Sequence, residues 1–346
     1  MAESGGHWDT LTEVDKLSQS TLIPGVIEED IKLNNPVELI PVSQATNTGL
    51  SITWRRESTT TEDDVADFAI GDQLALSESL KYTTEETALK RTYLMRKLDN
   101  FVSAIYGNVN NYRVQMLKEM QKGVLRNLGD KLIYDDITYG GANQFDGLHA
   151  KAALQTGTDL DIDAAEAGLS LTSMRVLLDS MLYGCDFFLF PIQIARRFDQ
   201  AWQELGLTGL ASGTAGALSS TSYGWNEAGK RIGFFDGIPI IRTHFLVAEN
   251  QNVGDGSNLR AKYTANDRQY SVFAIKKGNV MAGEGGLSLG FGGTTGAGQF
   301  FRLDYIPVVK EYDAPIMRLI NYSAPLLGSK LCLGRIFDIE DLAVVA

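Results

Sequence analysis

Between Asn111 and Tyr134, apolar side chains return every fourth residue: Tyr112, Met116, Met120, Val124, Leu128 and Leu132. Leu117 and Leu125 widen the stripe. That spacing holds them on one face of a helix. The opposite face carries Arg113, Lys118, Lys122, Arg126 and Lys131. Asn108, Asn110 and Asn111 offer N-caps, and at helical rise the segment would run about 35 Å. Gly123 and Gly129 weaken the helix and give it places to bend. Tyr112, Met116, Met120, Val124 and Leu128 are therefore expected in the core, because packing explains a Met-rich stripe without any cofactor.

Ahead of this helix the pattern dissolves. Residues 1–47 are polar with little periodicity, and Thr21 to Ile27 is a short apolar patch broken at Pro24-Gly25. Asn34-Asn35-Pro36 and Pro41 favour extended chain. A stretch of this kind is unusual in a monomer and is expected to lie on an adjoining subunit. Leu50 to Arg55 then alternates as a strand, and Ser58 to Asp64 reads as a polar, acidic tip. From Ala88 to Tyr106, Leu89, Tyr93, Leu94, Leu98, Phe101, Val102 and Ile105 fit helical spacing somewhat better than strand alternation, and both readings stay open. Two arms joined by an acidic tip suit an extended β-hairpin. An ordinary hairpin on a globular domain is the alternative.

Behind the helix, Gly140 to Leu148 is a turn-rich link. Leu169 to Leu182 predicts a helix capped by Ser170 or Thr172 and closed by Gly184. Phe187 to Phe190 predicts a buried strand, and Pro191 opens a helix that ends at Gly206. Gly206 to Ser222 is low in complexity. Asp236-Gly237 predicts a hairpin turn between Arg231–Phe235 and Gly237–Thr243. Tyr270 to Ile275, Phe301 to Ile306, Val308 to Tyr312, Ile316 to Tyr322 and Lys330 to Ile339 read as strands.

Composition narrows the function. The chain has 346 residues, 44% hydrophobic and 21% charged, ample for a packed core. Its net charge of -12 argues against a surface built to grip nucleic acid, and suits either simple solubility or a wall around DNA. Two cysteines, Cys185 and Cys332, are too few for a disulfide framework and sit among apolar neighbours, as buried free thiols do. Met1 to Ser20 is too polar for a signal peptide, and no apolar run approaches the length of a membrane span. An intracellular, soluble protein is expected.

Catalytic constellations are hard to find. His7, His149 and His244 are scattered and lack metal-ligand spacing, so each is expected on the surface or satisfied in the core. Gly283 to Gly298 holds many glycines but neither phosphate-binding spacing, and reads as a permissive loop. Asp159, Asp161 and Asp163 alternate as calcium ligands do, yet no EF-hand glycine or distal glutamate accompanies them; a solvated charge run is the expectation. No Gly-x-Ser-x-Gly elbow occurs. The sharpest binding candidates are Trp54, Arg55 and Arg56, an aromatic beside two guanidiniums suited to a neighbouring subunit's surface and carboxylates. An ordinary half-exposed strand is the competing reading.

The segment order, arm, charged excursion, long helix, Gly-rich mixed body and strand-rich tail, resembles the major capsid protein of tailed double-stranded DNA bacteriophages. Phe145-Asp-Gly-Leu148 after the helix and the phrase Phe187-Phe-Leu-Phe-Pro-Ile-Gln-Ile-Ala-Arg-Arg-Phe198 add to the likeness. The resemblance covers nearly the whole chain and implies an α+β, Hong Kong 97-like capsid fold. Its implied parts are an N-terminal arm (1–47), an extended loop (48–106), and the spine helix of a peripheral domain (107–139). An axial domain with part of the peripheral domain (140–299) and C-terminal peripheral strands (300–346) complete it. The implied function is non-enzymatic and needs no cofactor: self-assembly as pentamers and hexamers into an icosahedral shell around DNA, which is enclosed without sequence-specific binding. Implied partners are further copies, a portal, a scaffold and decoration proteins, with no membrane. The implied location is the virion, assembled in the host cytoplasm. The arm has no long charged helical prefix, so a separate scaffold is expected. The alternatives are a nanocompartment shell of the same fold enclosing cargo enzymes, and a soluble α+β enzyme of unknown reaction.

Overall fold

A computed structural model describes residues 31–45, 51–57, 67, 70, 82–100, 112–204, 221–225, 231–251, 260–262, 268–292, 300–307 and 314–345. The predicted arm patch at 21–27, the acidic tip from Ser58, the low-complexity stretch 206–220, His7 and the strand at 308–312 lie outside these residues.

The strands in chain order are β1 (Val42–Ala45), β2 (Ser51–Glu57), β3 (Tyr82–Ala88), β4 (Lys90–Lys97), β5 (Asp161–Asp163) and β6 (Phe187–Pro191). They continue as β7 (Thr221–Trp225), β8 (Arg231–Phe235), β9 (Ile238–Thr243), β10 (Glu249–Gln251), β11 (Arg260–Lys262) and β12 (Tyr270–Ile275). The last are β13 (Leu287–Gly292), β14 (Arg302–Ile306), β15 (Ile316–Leu327) and β16 (Leu333–Ile339). The main helices are α1 (Tyr112–Tyr134), α2 (Leu148–Ala153), α3 (Leu171–Ser180) and α4 (Ile192–Glu204).

Two sheets share the body. The larger runs β5-β16-β12-β6-β9-β8-β7. Its central strand β6, Phe-Phe-Leu-Phe-Pro, is buried throughout, because both faces are covered. Phe188 and Phe190 join Met174 and Leu177 of α3 and Ile194 and Phe198 of α4 in one cluster. Phe187 and Leu189 face the other way, into a cluster with Leu128, Leu132 and Ile133 of α1. Ser170 caps α3 by accepting from the Ser173 N–H, as its position suggested.

The smaller sheet is built on β15. β4 pairs along one side from Lys97↔Ile316 to Lys90↔Ser323, while β14 and β13 share the other side. β1 joins β13 in parallel. The apolar stripe of α1 divides its work between the two sheets. Met116, Met120 and Val124 pack on Leu98, Met317 and Leu319 of the smaller sheet, and Leu128 and Leu132 on the larger. Met120 and Leu128 are wholly buried. The Tyr112 side chain lies outside the described part.

Several expectations need correction. Residues 31–45 do not await a neighbour. Pro36–Leu39 form a helical turn capped by Asn35, and Val37 and Ile40 join the cluster under α1. The Asn35 amide donates to the Leu125 carbonyl, and the Asn34 amide to that of Arg242. Gly129 permits this crossing, since a Cβ there would overlap the Asn35 side chain and stand 3.0 Å from the Phe245 ring. Its role is close approach, and α1 runs unbroken through it.

The better-fitting helical reading of 88–106 fails over Lys90–Lys97, which is strand β4. Tyr93 and Met95 are exposed and Leu94 turns inward, so two faces of a strand imitated one face of a helix. The glycine-rich stretch is not all loop: Leu287 to Gly292 is strand β13, with Leu287 and Leu289 in the core. Asp161 is no solvated charge. It is buried in β5 against Arg335.

Candidate functional site

Trp54, Arg55 and Arg56 lie on β2, which pairs with β3 from Ser51↔Ala88 to Glu57↔Tyr82 and with no other strand among the described residues. Such a ribbon has little face of its own to bury. Its near end is held by the body. Ile52 is buried with Ala45, Val280 and Leu326, and Trp54 and Leu89 pack against them. Trp54 therefore sits on its own chain, with an indole N–H that has no partner among the described residues. Arg56 pairs across the ribbon with Glu85. Arg55 points to solvent. Between this ribbon and the turns at 283–285 and 328–331 lies a cleft of about 530 Å³, lined by Trp54, Arg56, Tyr183, Glu284 and Ser329 among others.

The second feature is a buried polar cluster where α1 and α2 meet the larger sheet. Gly147 lets the link come in tightly, since a Cβ there would stand 2.8–2.9 Å from the last-turn carbonyls of Lys131, Leu132 and Ile133. Its N–H donates to the Asp135 carbonyl. Leu148 then starts α2 and His149 points inward, 1% exposed. Arg335, wholly buried on β16, donates to both Asp161 oxygens at 2.7 and 3.0 Å. Its third nitrogen faces His149 Nδ1 at 3.1 Å. Arginine has no acceptor, so Nδ1 must accept. His149 is thus neutral and donates from Nε2 to Glu249 Oε1 at 3.1 Å. Tyr134 Oη donates to the same oxygen at 2.9 Å, and Ser271 Oγ to Oε2 at 2.6 Å.

Burial pushes His149 below the usual imidazole range. Burial would raise Glu249, but His149, Ser271 and Tyr134 outweigh it and hold the carboxyl low. Burial and the Glu249 charge push Tyr134 well up. The cluster is closed to solvent and its groups satisfy one another, so it joins elements and offers no reacting atom. Ser271 donates to Glu249 instead of His149, which is the wrong order for a nucleophile and its base. Sequence reading placed His149 as a lone histidine, and the structure satisfies it in the core; it missed Glu249, Arg335, Tyr134 and Ser271.

His244 accepts from the Leu33 N–H at 3.0 Å. Cys185 and Cys332 are free thiols, pushed by burial to about 12 and about 11. Among the described residues no cluster of His, Cys, Asp and Glu could hold a metal, and no helix is long and apolar enough to cross a membrane.

No family model matches the chain, and no curated protein matches it by sequence. Solved structures do. The encapsulin of the holo-SrpI complex from Synechococcus elongatus PCC 7942 superposes with a TM-score of 0.67 at 11% identity, over 97% of each chain. The capsid of a native GTA particle gives 0.56 at 10% identity, covering 93% of this chain and 94% of that one. The capsid of cyanophage P-SCSP1u gives 0.54 at 12% identity, over 93% of each. The chain therefore has the Hong Kong 97-like capsid fold, mixed helix and sheet, along nearly its whole length. The proteins that share it here are shell subunits, phage capsids and an encapsulin among them.

Proposed function

We propose that this protein is a shell subunit: a major capsid protein that assembles as pentamers and hexamers into an icosahedral shell around double-stranded phage DNA. The supporting observation is likeness in fold over 93–97% of the chain to shell subunits, an encapsulin and two capsids. In this reading α1 is the spine helix, and the smaller sheet with α1 is the peripheral domain. The larger sheet with α3 and α4 is the axial domain. The β2–β3 ribbon begins the extended loop, with Arg55 on its exposed side available to a neighbour. Partners are further copies, a portal, a scaffold and decoration proteins, with assembly in the host cytoplasm.

A second reading has its own support. The encapsulin superposes at 0.67, against 0.54 and 0.56 for the two capsids. A nanocompartment enclosing enzymes would use the same subunit. Electron microscopy of purified protein, followed by analysis of particle contents, tests both. Closed shells are expected from the purified protein, and nuclease-protected DNA in particles isolated from their native source. Shells with protein cargo and no DNA would favour the compartment. A small, monodisperse oligomer under every assembly condition would overturn both and return the chain to enzyme candidates.

A further inference from the structure

The chain is acidic overall, with a net charge of -12, yet its longest helix is not. α1 carries Arg113, Lys118, Lys122, Arg126 and Lys131 against Glu119 and Asp130. Lys118, Lys122 and Arg126 follow one another at four-residue steps, with Gln115 one turn ahead. They lie away from Met116, Met120 and Val124, which pack on the smaller sheet. Lys118 is exposed, and Lys122 and Arg126 are half-buried. Where residues 31–45 cross α1 at Gly129 they add an exposed Lys32. Its ammonium lies 5.5 Å from the centre of the Phe245 ring, the ring that a Cβ on Gly129 would touch. From Lys118 to Gly129 the line runs about 16 Å at helical rise. The carboxylates of α1 are engaged: Glu119 with Lys122 at 3.0 Å and Asp130 with Lys262 at 2.9 Å.

We propose that this face of α1, from Lys118 to Lys32, holds the phosphate backbone of duplex DNA without regard to sequence. This rests on the shell reading and names the surface that meets the enclosed DNA. Charge complementarity selects the occupant. Duplex DNA presents one negative charge per roughly 1.7 Å of its axis, so several phosphates fall within the length of the line. Lysine, arginine and glutamine are the side chains that hold phosphate oxygens. A protein partner fits less well, because the centres of protein interfaces are apolar and aromatic. No large apolar side chain between Gln115 and Asp136 is exposed, whereas Tyr93 and Met95 stand open on β4. The charge of the whole subunit does not forbid the contact, since at physiological salt screening confines each charge to about 8 Å. It does keep the contact weak.

The test uses full-length protein as unassembled capsomers, separated from shells by sedimentation so that every face is open. A short fluorescent duplex of mixed sequence is the probe, read by anisotropy. Between about 50 and about 200 mM salt, the slope of log K against log salt should be about -3 to -4 for three or four phosphate contacts. A second duplex of unrelated sequence should bind alike. K118Q/K122Q/R126Q should bind roughly ten-fold more weakly at the lower salt, with a slope near zero. Lys118→Gln and Lys32→Gln, each at an exposed position, should each lower the slope by about one. They keep the test open if the triple variant fails to fold by circular dichroism. R91Q/K97Q, which removes cations from β4, should bind as wild type does.

Wild-type capsomers that leave the duplex free at the lower salt overturn the contact, while closed shells in electron microscopy would leave the shell reading standing. If R91Q/K97Q loses the duplex and the α1 variants keep it, the phosphate surface is β4 and the proposal fails. If poly-glutamate binds more tightly than the duplex and the triple variant loses it, the face takes an acidic protein and the proposal fails.

Discussion

His149 is hemmed in by two neighbours that leave it no room for a second proton. Arg335 donates to Nδ1 and Glu249 accepts from Nε2, so an imidazolium would set one N–H against another. Burial already holds its pKa down. The sign follows. The unfolded histidine takes a proton below about 6.5 and the folded one only lower, so stability falls as pH drops through that interval. Asp135, raised by burial to about 6, works the other way and loses its contribution as pH rises toward 6. His149→Gln separates them, since an amide can donate and accept in the same places without titrating. Thermal melts of wild type should fall more steeply than those of the variant between pH 7 and 5; equal slopes would assign the effect elsewhere. Arg335→Met leaves Asp161 buried and uncompensated and should cost roughly 3–5 kcal/mol, while adding Asp161→Leu should recover much of that. Denaturant titration of the single and double variants measures both. Little of this cluster was legible in the sequence. Arg335 and Asp161 lie 174 residues apart and His149 and Glu249 100 apart, and only the folded sheet brings them together. Asp161 gave a visible signal in its alternating carboxylates, but periodicity carries no sign of which one is buried.

Helix α1 shows what an element-level pattern can and cannot say. Its four-residue stripe was legible because packing on two sheets requires one continuous apolar face. Met120→Asp should place an unpaired charge in a site with no exposure and cost several kcal/mol, seen as loss of soluble or assembled protein. Soluble, assembling Met120→Asp protein would remove the stripe from the core. The two glycines are equivalent in sequence and opposite in structure. Gly123 is exposed and a Cβ there would meet Leu94 at an ordinary 3.9 Å, so Gly123→Ala should stabilise by up to about 1 kcal/mol through helix propensity. Gly129→Ala would collide with Asn35 and Phe245 and should destabilise, despite the same propensity gain. Urea midpoints of the pair decide it, and a stabilised Gly129→Ala would mean that the 31–45 crossing yields easily. Strand β4 failed as a sequence reading for a related reason. Its exposed Tyr93 and Met95 sit where a solvent face should be polar, so alternation was masked by residues that the monomer has no use for.

At the scale of the whole molecule, segment order was legible because each segment has its own texture, whereas the boundary between what the subunit packs for itself and what it leaves exposed was not. The sequence suggested that everything ahead of α1 waits for a neighbour. Instead the chain binds residues 31–45 into its core and anchors the ribbon root through Ile52, Trp54 and Leu89. What remains outside the root is a two-stranded arm with exposed Arg55, Glu57, Tyr82 and Thr84. A chain lacking residues 58–72 should therefore fold. The ribbon root stays, and the described members of the clusters around α1 and the two sheets all lie outside the deleted stretch. Its circular dichroism and melting temperature should stay close to wild type. Assembly should suffer, because the deletion removes the arm's reach and the acid-rich stretch while leaving Arg55 without support beyond it. Sedimentation should show capsomers or monomers where wild type gives shells. An unfolded deletion protein would put the stretch inside the subunit core. A folded one that closes shells as wild type does would show that the arm is dispensable and that the smaller sheet and α1 carry the contacts between copies.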